Sequence, residues 1–393
     1  MSDIEEIGPT GWRASLRRVV APVAAPARAF ASRHQSVSVV VGMAITSAIL
    51  PLVVLVPPFS AFQPQSVWID GFANAGVFVL LALGLNIVVG LAGLLDLGYA
   101  AFFAIGAYTY AYGASPFSGL HIPFWPMLLV GALVAATFGV LLGAPTLRLR
   151  GDYLAIVTLG FGEIVPIVFL NAEKFTNGTN GIGGVYKPSV LGNDFPLLDP
   201  WPFYLTMALI LTVTMVAIYR LQESRLGRAW MAIREDELAA ASNGVNTVTT
   251  KLLAFALGAS TAGFAGVFNA SKLTLVSPDQ FFFTVSFTIL AMVVLGGMGN
   301  AWGVAVGAFI LYTIQSVLLK QLNQFFDTVG IPILKDIDFV QYQFLLYGIA
   351  LVVMMLLRPE GLFPSVRRKR ELRVAEADLA MPSAESSLGA APQ

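Results

Sequence analysis

The chain has 393 residues, of which 56% are hydrophobic and only 12% are charged, and its formal net charge is zero. This composition excludes a soluble globular fold and places the chain in a bilayer. Cysteine is absent, which excludes disulfides and zinc–thiolate sites, and the two histidines, His34 and His121, lie outside the apolar segments. We therefore expect no metal site, no cofactor and no nucleic-acid partner.

About ten segments are apolar and long enough to cross a bilayer, since a spanning helix needs about 20 mostly apolar residues. They lie at 37–56, 70–90, 94–113, 124–144, 152–171, 202–220, 248–271, 281–299, 301–320 and 342–357. They predict an all-α, polytopic bundle of transmembrane helices within residues 37–357. Residues 1–36 form a basic N-terminal extension, and the tail at 358–393 is expected to be disordered.

The basic residues favour one orientation of this bundle. If the N-terminus is cytoplasmic, eighteen of the 23 Lys and Arg residues fall on the inner side. The outer side keeps Lys174, Lys187, Lys272, Lys320 and Lys335. This distribution obeys the positive-inside rule. It predicts that both termini and the loop 221–247 are cytoplasmic, whereas the loop 172–201, rich in Gly, Asn and Pro, lies outside.

Glycine is concentrated in the apolar segments, where small residues let helices approach closely or let a helix break beside a cavity. These glycines include Gly84, Gly160, Gly162, Gly258, Gly263 and Gly266, and close packing is the expected role of most of them. The stretches 90–98 and 296–303 hold so many glycines that a continuous helix is costly there. We expect interrupted or re-entrant backbone at both.

Two parts of the sequence resemble each other. The words L-N-I-V-V (85–89) and A-I-G-A-Y (104–108) are echoed by L-A-M-V-V (290–294) and A-V-G-A-F (305–309). Transporters are often built from repeats, and in the predicted topology these copies have the same orientation. The alternative is the chance recurrence of apolar words.

Four polar residues of the apolar segments are candidates for a substrate path: Asn86, Asp96, Thr158 and Glu163. Glu163 lies about midway along the fifth segment, where an ionised carboxylate is costly unless it is paired or faces water. It either lines a route for a substrate with an ammonium group or ties two helices together. Asp96 follows a glycine-rich stretch and precedes a helical run, so a role as helix N-cap competes with a path-lining role.

The charged stretch 223–246 predicts a cytoplasmic helix of about four turns. Gly227 opens this helix, and Asn243 with Gly244 closes it with a left-handed C-terminal stop. One face of it presents Trp230, Met231, Arg234, Leu238 and Ala241. Such a face can dock into a partner's groove. The alternative is a solvated helix that only joins two spans.

Six motifs then follow one another in a specific order. They are G-L-L-D-L-G-Y-A-A-F-F-A-I-G-A-Y (93–108), L-R-G-D-Y-L-A-I-V-T-L-G-F-G-E-I-V (149–165), T-N-G-I-G-G (179–184), L-G-R-A-W-M-A-I-R-E-D-E (226–237), V-V-L-G-G-M-G (293–299) and L-R-P-E-G-L-F-P (357–364). Together they resemble the permease subunits of bacterial branched-chain amino acid ABC importers of the LivM type. The resemblance covers about residues 70–365. Pro166, just beyond Glu163, departs from it and leaves the shape of the fifth segment in doubt.

The resemblance implies an inner-membrane transport subunit that is not an enzyme. Its implied partners are a second permease of the LivH type, two cytoplasmic ATP-binding subunits and a periplasmic substrate-binding protein. No phosphate-binding loop G-x-x-x-x-G-K-[ST] occurs in the chain, in agreement with ATP hydrolysis by partners. The cytoplasmic helix would then couple to the ATPase through Gly227, Arg228, Trp230, Met231, Arg234, Glu235, Glu237, Leu238 and Gly244.

The implied cargo is a branched-chain or other hydrophobic amino acid. Permeases of the same superfamily carry urea, short amides or other amino acids, so the substrate is predicted less sharply than the fold. A stand-alone secondary carrier is an alternative of another class. A membrane-embedded enzyme is a third alternative, but the lone Glu163 and the scattered histidines give it little support.

Overall fold

The computed structural model describes residues 35–55, 64–146, 152–190, 193–196, 199–319, 341–358 and 361–363. The α-helices in these ranges are α1 (Gln35–Val53), α2 (Gln65–Leu85), α3 (Tyr99–Gly113), α4 (Phe124–Thr146), α5 (Asp152–Asn171), α6 (Glu173–Thr176), α7 (Trp201–Glu223), α8 (Arg225–Glu235), α9 (Glu237–Ser242), α10 (Thr247–Leu273), α11 (Phe283–Gly296), α12 (Ala301–Thr313) and α13 (Gln343–Leu357). Turns of π-helix extend α2 at Asn86–Leu91 and α12 at Ile314–Leu318. Turns of 3-10 helix lie at Gly178–Asn180 and Pro278–Phe281.

The strands are pairs of two residues in the loops. β1 (Ala114–Ser115) pairs with β2 (Leu120–His121), β3 (Ile182–Gly183) with β6 (Leu275–Val276), and β4 (Ser189–Val190) with β5 (Asn193–Asp194), all antiparallel. The β3–β6 pair ties the long loop after α5 to the end of α10. The prediction of a helical fold is therefore confirmed, with these short strands as additions.

Six helices of the described part are long and apolar enough to cross a membrane: Gln65–Leu91, Phe124–Thr146, Tyr153–Asn171, Trp201–Glu223, Thr247–Leu273 and Pro278–Gly296. Shorter apolar helices lie at Val37–Val53, Ala301–Ser316 and Gln343–Met354. The total of about ten spans stays a prediction. The basic positions Arg148, Arg150, Lys320 and Lys335, the N-terminal extension up to 34 and the tail from 364 lie outside the described residues.

Small residues set the packing at the centre of the molecule. Helix α10 packs along both α3 and α4. A Cβ atom on Gly106 would lie 2.6 Å from the Cα of Gly263, and one on Gly266 would lie 2.4 Å from the carbonyl oxygen of Phe103. A Cβ on Gly131 of α4 would lie 2.4 Å from Val267. The helices thus approach backbone to backbone, which confirms the close packing predicted for Gly263 and Gly266.

Both glycine-rich stretches interrupt the helices, as predicted. The π-turn after α2 ends at Leu91, and residues 92–98, here called the first break, precede α3. Residues 297–300, the second break, separate α11 from α12, and Gly297 and Gly299 have φ angles of 110° and 83°, a region that favours glycine. The helices beside the breaks are therefore shorter than the predicted segments 94–113 and 281–299. Each copy of the suspected repeat is a helix, a break and a second helix.

Candidate functional site

Asn86 links the π-turn that precedes the first break to the second break. Its side-chain oxygen accepts a hydrogen bond from the backbone N–H of Gly299 at 2.8 Å. A Cβ atom on Gly90 would lie 2.0 Å from that oxygen and 2.7 Å from the Gly299 nitrogen. Asn86 is fully buried, and its Nδ2 atom has no hydrogen-bond partner among the described residues. One amide therefore fastens the π-turn that ends α2 to the non-helical backbone of the second break, more than 200 residues away in the chain.

Asp96 and Thr158 lie together where the first break meets α5. The Thr158 hydroxyl accepts a hydrogen bond from the Leu97 N–H at 3.0 Å, and the Asp96 carboxylate accepts one from the Gly98 N–H at 2.9 Å. The N-cap of α3 is Gly98, so the N-cap interpretation of Asp96 is wrong. Asp96 instead closes an Asx turn inside the break. A Cβ on Gly98 would lie 2.0 Å from the Thr158 carbonyl oxygen, so only glycine permits this contact.

Residues of the tail cover the second break. The Leu362 N–H donates to the Leu295 carbonyl oxygen at 2.9 Å, and the Phe363 N–H donates to that of Gly296 at 3.2 Å. The Asn300 amide donates to the Phe363 carbonyl oxygen at 3.0 Å. The motifs 293–299 and 357–364, which are distant in sequence, thus build one structure.

The charged stretch 223–246 forms two helices, so the prediction of one continuous helix of about four turns is wrong. Helix α8 begins at Arg225 with the Ser224 hydroxyl as its cap, two residues before Gly227. It ends at Glu235 because Asp236 has extended backbone, with a φ of −155°. The Asp236 carboxylate accepts hydrogen bonds from the Leu238 and Ala239 N–H groups and thereby starts α9. We call residues 225–242 the α8–α9 pair.

Helix α8 is anchored to the membrane part of the chain by two side chains. Trp230 is fully buried, and its indole N–H donates to the Thr250 carbonyl oxygen of α10 at 2.6 Å. The Arg234 guanidinium donates to the Gly90 carbonyl oxygen at 2.5 Å. A Cβ on Gly93 would lie 2.7 Å from Arg234 Cγ. The predicted single face that held both Trp230 and Leu238 therefore does not exist, because Trp230 points into the chain.

Helix α9 presents the exposed surface of the pair. Leu238 is 71% exposed, whereas Glu237 forms an ion pair of 2.5 Å with the buried Lys251 of α10. The left-handed stop at Gly244 is confirmed by its φ of 83°. A cavity of about 600 Å³ lies between α9 and the first break, and Gly93, Arg234 and Leu238 are among its lining residues.

The remaining coupling candidates lie on or beside α8. Gly227 is buried, and a Cβ there would lie 2.4 Å from the Leu221 carbonyl oxygen, so glycine lets α8 fold back onto the end of α7. Arg228 and Glu235 are exposed, and Met231 is half-buried. The Arg228 guanidinium donates to the Glu223 carbonyl oxygen at 2.7 Å.

Glu163 lies apart from the other three path candidates. It is half-buried on α5, and it has no hydrogen-bond or ion-pair partner among the described residues. Helix α5 runs through Pro166 to Asn171 without a break, which resolves the doubt about its shape. The structure thus brings Asp96 and Thr158 together, links Asn86 to the second break, and leaves Glu163 half-buried on α5 without contact to the other three.

An ion pair that sequence reasoning missed joins the far ends of α2 and α10. Lys272 Nζ lies 2.8 Å from the Asp70 carboxylate and 2.6 Å from the Asn74 side-chain oxygen. The Lys272 side chain is 7% exposed and the Asp70 side chain 50%. The signal that could have found it was the polar pair Asp70 and Asn74, one helical turn apart at the start of an apolar segment.

Comparisons with known proteins agree with this architecture. Residues 68–356 match the family described as the branched-chain amino acid transport system / permease component. The chain belongs to this permease family. The family resemblance of the six motifs is thereby confirmed, and the permease is a multi-pass membrane protein whose relatives are transport subunits.

Individual relatives of the chain are permease proteins of branched-chain amino acid transport systems. The permease is 42% identical over 322 residues to the high-affinity branched-chain amino acid transport system permease protein LivM of Salmonella typhimurium, covering 77% of this chain and 71% of the relative. It is 42% identical over 318 residues to LivM of Escherichia coli, covering 76% and 70%. It is 25% identical over 279 residues to the Escherichia coli permease protein LivH, covering 67% and 89%. No solved structure matches the permease.

Proposed function

We propose that the permease is the membrane-spanning subunit of an ATP-driven ABC importer that moves branched-chain or other hydrophobic amino acids across the bacterial inner membrane. The names of the LivM relatives support this cargo. The distribution of basic residues supports about ten spans with both termini in the cytoplasm. The spans occupy 37–357, and the extension 1–36 and tail 358–393 lie on the inner side.

The observation that carries the proposal is the direct contact between the α8–α9 pair and the first break. The ATP-binding subunits would bind the exposed surface that is formed by Glu235, Glu237 and Leu238. Arg234 connects it to the Gly90 carbonyl oxygen, and Asn86, four residues before Gly90, holds the second break. A displacement of α8 therefore acts on both breaks at once, which is how loop motions reach a distant path.

The partners follow from the same reasoning. A LivH-type permease completes the pore, since LivH proteins are relatives of this chain as well as LivM proteins. Two cytoplasmic subunits hydrolyse ATP, so the permease is not itself an enzyme, and a periplasmic protein delivers the cargo. The cytoplasmic extension and tail lie on the side of the ATP-binding subunits.

Of the four path candidates, we assign contact with the cargo to Glu163. Asn86, Asp96 and Thr158 are each at most 1% exposed and hold backbone N–H groups, so their role is to shape the breaks beside the path. Glu163 has no partner in the described part of the chain, and its carboxylate suits the ammonium group of an amino acid. An unpaired carboxylate in the middle of a span is costly in lipid, which favours a position beside water or a partner.

The test is reconstitution of the permease in proteoliposomes with its LivH-type partner, its ATP-binding subunits and its substrate-binding protein. We expect leucine uptake that requires ATP on the side of the α8–α9 pair, and no uptake by the permease alone. Leucine uptake by the isolated chain under an ion gradient would instead identify a secondary carrier. ATP-dependent uptake of urea or amides, but not of leucine, would refute the assigned cargo.

A further inference from the structure

An open cavity of about 450 Å³ lies at the end of α5, next to the loop after α10. Its lining combines one carboxylate, Asp279, with hydroxyl and amide groups and with apolar side chains. The polar groups belong to Thr179, Asn180 and Ser277, and Ile167 and Phe282 are among the apolar ones. A pocket of this size with a few convergent polar groups is typical of a small-molecule site.

The walls of this cavity are held by specific contacts. The loop motif T-N-G-I-G-G (179–184) forms β3, which pairs with β6 in the register Ile182 to Val276. Gly181 has a φ of 65°, and a Cβ there would lie 2.3 Å from the Val276 carbonyl oxygen. The 3-10 turn Pro278–Phe281 follows β6 and carries Asp279. The motif therefore fixes the two loops against each other and preforms the cavity.

Glu163 lies on the same side of α5 as the residues that line the cavity. Pro166, Ile167 and Leu170 of α5 line it. Glu163 lies one turn before Pro166, and the seven-residue spacing from Glu163 to Leu170 places both side chains on the same side of the helix, about 10 Å apart along its axis. The carboxylate of Glu163 is thus the next polar group below the cavity on that side of α5.

Tyr108 is a further polar residue near the turn that carries Asp279. The Tyr108 side chain is buried between Phe169 and Phe281, with ring centroids 4.3 Å and 6.2 Å away. Its hydroxyl has no hydrogen-bond partner among the described residues. An unpartnered hydroxyl thus lies between two aromatic rings, next to the turn that carries Asp279.

We infer that this cavity is the outer entrance of the permease and binds the charged head of the amino acid. The ammonium group binds Asp279, the carboxylate binds the Thr179, Asn180 and Ser277 groups, and the aliphatic side chain packs on Ile167 and Phe282. Glu163 receives the ammonium group deeper in the membrane. This assignment rests on the proposed function, because it takes an amino acid as cargo.

The first experiment measures the charge and occupancy of the cavity directly. The permease has no cysteine, so Leu275→Cys gives it a single thiol at the cavity wall, at a lining residue that is assigned no contact with the cargo. We expect a cationic methanethiosulfonate reagent to react about 10-fold faster than an anionic one, because acidic clefts concentrate cations. Asp279→Asn should reduce this ratio, whereas Glu173→Gln, an exposed carboxylate outside the cavity, should not.

Leucine should slow the labelling more than 4-methylpentanoate, which lacks the ammonium group, and more than isopentylamine, which lacks the carboxylate. Equal rates for the two reagents, or no protection by leucine, would overturn the inference.

The second experiment separates the inference from the proposed function. Asp279→Asn and Glu163→Gln should each lower leucine uptake by the full importer about 10-fold, since each removes one charge contact to the ammonium group. ATP hydrolysis and assembly should be retained, and Glu173→Gln should transport normally. If the wild type imports leucine and both variants match it, the inference fails and the proposed function stands. If the wild type imports nothing, the proposed function fails, and the labelling still decides whether the cavity binds amino acids.

Discussion

The guanidinium of Arg234 donates a hydrogen bond to the backbone carbonyl oxygen of Gly90 at a distance of 2.5 Å. Gly90 belongs to the π-turn that ends α2, where helical backbone is giving way to the first break. A side chain of α8 thus holds a carbonyl group in the last turn of the apolar helix before the first break. This contact connects the surface of the α8–α9 pair to the interior of the bundle.

Replacing Arg234 by Ala should uncouple transport. The contact with Gly90 disappears, so movement of α8 no longer reaches the first break, and we expect leucine uptake per ATP hydrolysed to fall about 10-fold, the loss of one charged hydrogen bond. The measurement compares uptake and ATP hydrolysis in proteoliposomes. Arg225→Ala is the matched control, since Arg225 is exposed at the start of α8. Equal ratios of leucine uptake to ATP hydrolysis in the two variants would contradict the coupling role of Arg234.

Gly98→Ala should destabilise the permease strongly. The new Cβ would lie 2.0 Å from the Thr158 carbonyl oxygen, and backbone cannot give way cheaply, so the free energy of unfolding should fall by at least about 2 kcal/mol. On the facing helix, a Cβ on Gly160 would meet no described atom within 4 Å, and Gly160→Ala should be neutral or stabilising by up to about 1 kcal/mol. Unfolding in mixed micelles of a mild and a denaturing detergent, monitored by circular dichroism, measures the free energy of unfolding of both variants. Similar losses of unfolding free energy in the two variants would show that the close contact between Gly98 and Thr158 does not determine the effect.

Removing the charge of Asp70 alone should cost more stability than removing the charges of both Asp70 and Lys272. Asp70→Asn leaves the buried Lys272 ammonium without its counter-ion, and we expect a loss of about 1–2 kcal/mol in unfolding free energy, a modest figure because half of the Asp70 side chain is exposed. The double variant Asp70→Asn with Lys272→Met should recover part of this loss, since it removes the buried charge. A double-mutant cycle tests the coupling, and strictly additive effects would rule it out.

Leu238→Arg should weaken the binding of the ATP-binding subunits without destabilising the fold. Leu238 is 71% exposed, so the change costs little stability in the isolated permease. We expect the affinity for the ATP-binding subunits to fall at least about 10-fold, as for a charge placed in the middle of a docking surface. Glu237 is a poorer test position, because its ion pair with Lys251 also supports the fold. Normal subunit binding by Leu238→Arg would show that α9 is not the docking surface.

The sequence predicted the helices and both breaks because hydrophobic runs and clustered glycines act locally on the backbone. It failed at Asp236, which was treated as one more surface position on a continuous helix. An Asp followed by helix-forming residues is also an N-cap signal, and the structure uses it that way. Choosing between the two requires knowing that Trp230 and Arg234 are already held by α10 and by Gly90.

Contacts between distant parts of the chain could not be predicted. Asp70 and Lys272 are more than 200 residues apart, and nothing in either local pattern names the other as its partner. Glu163 was identified because a carboxylate within an apolar run is conspicuous by itself. Asp279 was not identified, because an acidic residue in a loop is ordinary until the fold places it beside α5.

The glycine contacts between α3, α4 and α10 also bear on which helices can shift during transport. Backbone lies on backbone at Gly106 and Gly263, so these three helices form a rigid frame with no room for sliding. Helix α7 instead meets Gly76 of α2 through the flexible side chain of Met207. Since α7 leads directly into α8, we expect α7 to shift while α8 pivots about the contact of Trp230 with α10, which stays in place.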